Sequence, residues 1–181
     1  MEVLNTPIAD LKLIRPKVFS DDRGYFFESY TLSKFHNLGI PYNFVQENQS
    51  QSKFGVLRGH HFQKGDAAQT KLIRVISGKI LDVALDIRPD SKTFGEHFAV
   101  ELSENNFLQL LIPRGFAHGY CVLSESAIIT YKCDNYYDPK SEGGVIYNDP
   151  DLAIDWGLTN NEITLSEKDK IHPHLKDLVQ S

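Results

Sequence analysis

Cysteine is scarce in this chain. Cys121 and Cys133 are its only two, too few for the dense disulfide framework of a small secreted domain, and in a reducing compartment both are expected to remain core-filling thiols. Long apolar runs are missing as well. No stretch approaches the roughly 20 apolar residues of a membrane-spanning helix, and Met1-Glu2-Val3-Leu4-Asn5 lacks the basic-then-apolar order of a secretory leader. No membrane partner is therefore expected, and the chain is assigned to the cytoplasm. Basic residues are outnumbered, 19 Lys and Arg against 24 Asp and Glu for a formal net charge of −5. That balance argues against a surface that coats nucleic acid. A small anion such as a nucleoside diphosphate remains admissible, because it needs only a few cations gathered in one pocket. Internal repeats, low-complexity blocks and linkers are also absent, so the 181 residues are read as one domain, 1–181, around one core.

What is present is period-two patterning. Leu81, Val83, Leu85 and Ile87 alternate with Asp82, Ala84 and Asp86, which predicts a half-buried strand with one apolar and one mixed face. Similar β-branched or aromatic runs cover 25–30, 71–77, 98–102, 107–112 and 127–132, with Gly and Pro breaks between them. Many short strands at close spacing predict an all-β sandwich or barrel. Helical signals are peripheral. One helix is expected over Thr31 to Leu38 with Gly39 as its stop, and a second from Ser166, whose spacing to Asp169 resembles a capping box.

The residues with chemical potential cluster in a few segments. Arg58, His60 and His61 fall within four positions; in an extended chain the two imidazoles point to opposite faces, so at most one addresses a given interior cavity. A surface or core histidine pair would explain the same segment. Lys71 shares the face of Ile73 and Val75, where it either snorkels outward or stands as a buried cation. His118 sits between Gly115 and Gly119 in what reads as a loop, and Tyr131 is one of three tyrosines in 131–137, any of which also suits core packing. Arg23 lies beside the aromatic run from Tyr25, an arrangement that is merely solvated or else supplies a guanidinium fork and a ring to a diphosphate joined to a flat base.

Eight strings occur in order: Asp22-Arg23-Gly24, Gly55-Val56-Leu57-Arg58-Gly59-x-His61, Gln69-x-Lys71-Leu72, Pro113-x-Gly115-Phe116-Ala117-His118-Gly119, Tyr131-Lys132-Cys133, Asn148-Asp149-Pro150-Asp151, Ile154-Asp155-Trp156 and Leu165-Ser166-Glu167-Lys168-Asp169. Together they resemble the dTDP-4-dehydrorhamnose 3,5-epimerases over nearly the whole chain. The resemblance implies a cupin-type double-stranded β-helix (jelly-roll), usually a homodimer. Its substrate would be dTDP-4-dehydro-6-deoxy-D-glucose, a dTDP-linked 4-keto-6-deoxy sugar, on the route to dTDP-L-rhamnose and cell-surface polysaccharide. By the same resemblance His61 is the general base, Tyr131 the general acid, Asp169 the carboxylate paired with the histidine, and Lys71 the cation facing the keto oxygen. Arg23, Glu28, Gln46, Asn48, Arg58, His118, Glu142 and Lys168 fall at positions that contact the nucleotide sugar, and Phe26 resembles the ring stacked on thymine. His60 stands where leucine is common in that family.

The chemistry such a family performs suits these residue types. A ketone at C4 acidifies the hydrogens on C3 and C5 alike, because either carbanion delocalises into one enolate oxygen. A base on one face, an acid on the other and a donor near the oxygen complete the requirement. Protons alone move, so no cofactor is implied. Metal-dependent cupins resemble one another in two histidines separated by one residue and a following glutamate. Here the histidines adjoin and no glutamate follows before Glu96, so no metal is expected. The alternatives are a 3-epimerase, a 5-epimerase or a 3,4-ketoisomerase on a related sugar, and a non-catalytic sugar-nucleotide-binding cupin.

Overall fold

The computed structural model describes residues 1–178. In chain order its strands are β1 (Glu2–Asn5), β2 (Lys12–Arg15), β3 (Phe19–Asp21), β4 (Gly24–Phe26), β5 (Gln46–Lys53), β6 (Leu57–Gln63) and β7 (Lys71–Ser77). There follow β8 (Lys79–Asp86), β9 (His97–Ser103), β10 (Gln109–Ile112), β11 (Phe116–Val122), β12 (Ser126–Cys133) and β13 (Glu142–Gly144). Two short helices, α1 (Leu32–Asn37) and α2 (Leu175–Leu178), lie among them. A six-stranded sheet runs β1-β2-β10-β7-β12-β5 and a five-stranded sheet runs β13-β6-β11-β8-β9, with β3 and β4 as a separate hairpin. Strands within both sheets pair antiparallel. Side chains of both sheets, among them Ile73, Leu110, Ile112, Ala84 and Phe116, pack into one cluster between them. This is the all-β sandwich that the strand pattern predicts, in the cupin-type jelly-roll form that the resemblance implies.

β8 departs from the half-buried strand expected of it. Its mixed face is not turned to solvent. Leu85 packs in a cluster with Val145, Leu152 and Leu175, and Val83 in another with Leu57, Cys121 and Trp156, so the C-terminal segment roofs the outer face of the five-stranded sheet. The face carrying Asp82, Ala84 and Asp86 is therefore the inner one, and all three are fully buried. β11 is covered from both sides for the same reason, and every one of its residues is buried.

Other expectations shift locally. The expected strand 25–30 ends at Phe26, and Phe27 turns its ring toward Tyr25 and Phe107 with the Arg74 guanidinium 5.2 Å from its centroid. The run from Phe107 pairs only from Gln109, because Phe107 itself takes φ 56°. His118 lies within β11, the loop before it being confined to 113–115. No helix starts at Ser166. The Asp169 N–H donates to Ser166 Oγ at 3.2 Å as in a capping box, but the turn goes no further. Pro173 explains the stop, since the residue before a proline is disfavoured in the helical region. The first expected helix does form as α1, with Gly39 beyond it at φ 77°. Both cysteines are buried free thiols, and burial pushes each up to about 11.

Candidate active site

The strand registers carry polar residues of both sheets to one end of the interior. On the six-stranded sheet Tyr131 pairs with Asn48 on one side and Ile73 on the other, while Cys133 pairs with Gln46 and Lys71. Cross-strand partners share a face, so Gln46, Asn48, Tyr131 and Lys71 project on the side of Ile73, which is core. On the five-stranded sheet His61 pairs with His118 and Gly144, and His118 pairs in turn with the core residue Ala84. Arg58 reaches the same face opposite Tyr120, after a register shift at which β6 carries one residue more than β11. The close approach at that shift needs glycine: a Cβ on Gly59 would lie 2.5 Å from both Gly119 Cα and His118 O.

Between these faces lie two adjoining cavity lobes of about 310 and 440 Å³ that share His61, Lys71 and Tyr131 as lining. Gln46, Asn48 and Glu142 border the smaller lobe, and Arg58, His118, Lys168 and Asp169 the larger. Each lobe falls in the range of small-molecule sites, roughly 300–1,000 Å³.

The titratable groups are held by specific partners. His61 Nε2 lies 2.5 Å from Asp169 Oδ1, and Ser166 Oγ donates to Asp169 Oδ2 at 2.9 Å. Burial alone would raise the Asp169 pKa, but the hydrogen bonds from His61 and Ser166 hold it below the ordinary carboxylate value. An ionised Asp169 accepts from Nε2–H and so keeps the imidazole lone pair on Nδ1. Burial raises the Tyr131 phenol, which keeps it a proton donor at neutral pH, and burial lowers the Lys71 ammonium. His118 Nε2 contacts Asp82 Oδ2 at 2.9 Å, Arg58 Nε donates to Ser52 Oγ at 3.1 Å, and Lys168 forms an ion pair with Glu142. His60 points the other way, into the roof: it is fully buried 5.1 Å from Trp156, and burial followed by the nearby His118 pulls it down to about 3.

The profile of the dTDP-4-dehydrorhamnose 3,5-epimerase family matches residues 5–177. The chain belongs to this family. The Escherichia coli K12 dTDP-4-dehydrorhamnose 3,5-epimerase is 50% identical over 181 residues, covering 99% of this chain and 97% of the relative. The crystal structure of the Elizabethkingia anophelis enzyme of the same name superposes with TM-score 0.94 at 51% identity, over 98% of this chain and 97% of that one. The Legionella pneumophila dTDP-6-deoxy-D-glucose-3,5-epimerase, solved in complex with dTDP-4-keto-L-rhamnose, superposes with TM-score 0.93 at 47% identity, over 97% and 93% of the two chains.

In this member of the epimerase family Arg23, Phe26 and Glu28 do not line either lobe. Arg23 sits at the β3–β4 turn, 89% exposed and paired with Asp21. Phe26 is exposed at the end of β4, and Glu28 pairs with Lys34 of α1. Sequence reasoning passed over His172, whose ring meets that of His61 edge-on at 5.5 Å between centroids. It also passed over Tyr137 as a site residue, although its hydroxyl donates to Glu142 Oε2 at 3.0 Å. The signal for His172 was weak: one of two imidazoles in Ile171-His172-Pro173-His174, outside any periodic element. No helix among the described residues is long and apolar enough to cross a membrane.

Proposed function

We propose that this isomerase inverts C3 and C5 of dTDP-4-dehydro-6-deoxy-D-glucose, giving dTDP-4-dehydro-L-rhamnose. His61 abstracts the proton from each carbon through Nδ1, and Tyr131 delivers a proton from the opposite face. Asp169 orients His61 and steadies the imidazolium, while Lys71 stabilises the enolate oxygen formed from the C4 ketone. Gln46, Asn48, Arg58, His118, Glu142 and Lys168 position the sugar and its diphosphate. The observation that carries this reading is the sharing of one cavity wall-to-wall by His61, Tyr131 and Lys71, with the first on one sheet and the other two on the facing sheet.

The chain works as one domain in the cytoplasm and as a homodimer. The exposed aromatic surface of Phe19, Tyr25 and Phe26 beside Arg23 supports the dimer, because exposed aromatic and arginine clusters are characteristic of interfaces. In that assembly Arg23, Phe26 and Glu28 serve the substrate of the neighbouring subunit.

The test is turnover of the dTDP-linked keto sugar in deuterated water, followed by NMR. Deuterium at both C3 and C5 with the L-rhamno configuration is expected. Label at one carbon, or a 3-keto product, would replace this reading with that of a mono-epimerase or ketoisomerase, and absence of any exchange would leave a binding protein.

A further inference from the structure

We propose that His61, Asp169 and His172 form an inhibitory binding site for a divalent transition-metal cation of the zinc type. The donor atoms of the three residues lie within 4.8 Å of one another. His61 Nε2 and His172 Nε2 are 2.5 and 3.4 Å from the same Asp169 Oδ1. Two imidazoles and one carboxylate are a set that borderline cations accept, with donors about 3.3 Å apart in a tetrahedral shell and a fourth position left to water. The two imidazole–carboxylate distances, 2.5 and 3.4 Å, bracket that spacing.

The second observation is that His172 is held within ion-pair distance of Asp169 but is not hydrogen-bonded to it. Its side chain is nine-tenths buried, yet Nε2 has no hydrogen-bond partner among the described residues. A buried polar atom left unpaired is costly and calls for an explanation. The ring occupies the space above Gly144, where an added Cβ would lie 2.5 Å from three of its atoms. Gly144 is the register partner of His61, so the missing side chain is what brings the two imidazoles together. The charge of Lys168, which acts on His172, is partly offset by its ion pair with Glu142.

The effect on turnover follows from the tautomer and rests on the role given to His61 above. A cation on Nε2 displaces the hydrogen bond to Asp169 and moves the remaining ring proton to Nδ1, the nitrogen that serves as base. The sugar still binds, but its proton has no acceptor. The metal is thus an off-switch rather than a cofactor.

Titration calorimetry with ZnCl2 on the unmodified protein and on His172→Gln and His174→Ala variants tests the site. One equivalent should bind. Affinity should fall in His172→Gln by more than the ~10–100-fold that loss of an outer-shell partner costs, and hold in His174→Ala, whose ring instead faces Asp149. Ring 15N–1H spectra of the unmodified protein should show one equivalent of zinc shifting His61 and His172 and sparing the other histidines, a readout that needs no variant to fold. Zinc should lower kcat without raising KM, and EDTA should restore it. Equal affinity in His172→Gln, or perturbation at exposed histidines instead, overturns the proposal. If zinc binds as described but the protein has no epimerase activity to inhibit, the site stands and the assignment of the base does not.

Discussion

His61 and Tyr131 stand on facing sheets and border the same cavity. Neither β6 nor β12 alone can present groups to both faces of a sugar ring. The sandwich does so because β12 turns Tyr131 inward level with the core residue Ile73, and β6 turns His61 inward level, through His118, with the core residue Ala84.

Replacing His61 with Ala removes the proposed base and leaves the rest of the cavity lining. The expected result is a fall in kcat of ~10²–10⁴ with dTDP affinity preserved by calorimetry. Loss of nucleotide binding at unchanged saturated turnover would contradict the assignment.

Tyr131→Phe separates abstraction from inversion. His61 should still exchange the C–H proton with solvent, but return it to the face it came from. Deuterium is expected in recovered substrate of unchanged configuration, with product formation down ~10²–10⁴. Normal product yield would exclude the phenol as acid.

Lys71→Met tests the enolate cation. The position is half-buried on the core-facing side of β7, so methionine fills its volume. A loss of ~10²–10³ in kcat with little change in KM is expected; steady-state kinetics decides it.

His60 is a liability rather than a catalyst. Both ring nitrogens are buried without hydrogen-bond partners among the described residues. Exchanging it for leucine should relieve a desolvation cost and stabilise the fold by about 1 kcal/mol, seen as a rise in Tm of roughly 2–4 °C, with turnover unaltered. A lower Tm would show that the ring's packing on Trp156 outweighs that cost.

Asp86 governs part of the acid limb of stability. Burial would raise its pKa, but hydrogen bonds from Arg88, Ser91 and Thr93 outweigh that and hold it at about 2. The unfolded chain takes up this proton near pH 4 and the folded one only near pH 2. The stabilisation, about 2 kcal/mol, is therefore full above pH 4 and lost as pH falls through the folded value. Urea unfolding across that window should show the loss in the parent chain and its absence in Asp86→Asn.

The strands that were legible in sequence are those with apolar alternation. β7 matches the expected 71–77, and β9 and β12 enclose the expected runs. β5 was illegible because Gln46-Glu47-Asn48-Gln49-Ser50-Gln51-Ser52-Lys53 has no apolar residue at all. Its inward side chains face the cavity and the polar end of the core residue Tyr120 rather than apolar groups, with Ser50 Oγ 3.1 Å from the Tyr120 hydroxyl. β8 was legible as a strand but misleading as to which face meets water, because nothing local announces that residues about 60 to 90 positions later will roof it. The same non-locality hid His172, which meets His61 only through the β6–β13 register.

The roof over the five-stranded sheet also sets when a newly made chain acquires its activity. Trp156 and Leu175, which seal that sheet, and Asp169, which holds His61, all follow the last strand in the chain. A ribosome-bound chain halted before them carries every strand, the phenol and the ammonium, yet leaves its imidazole unaligned and Leu57, Val83 and Leu85 wet. Competence should switch on abruptly once the segment after β13 has emerged, rather than grow with each strand added.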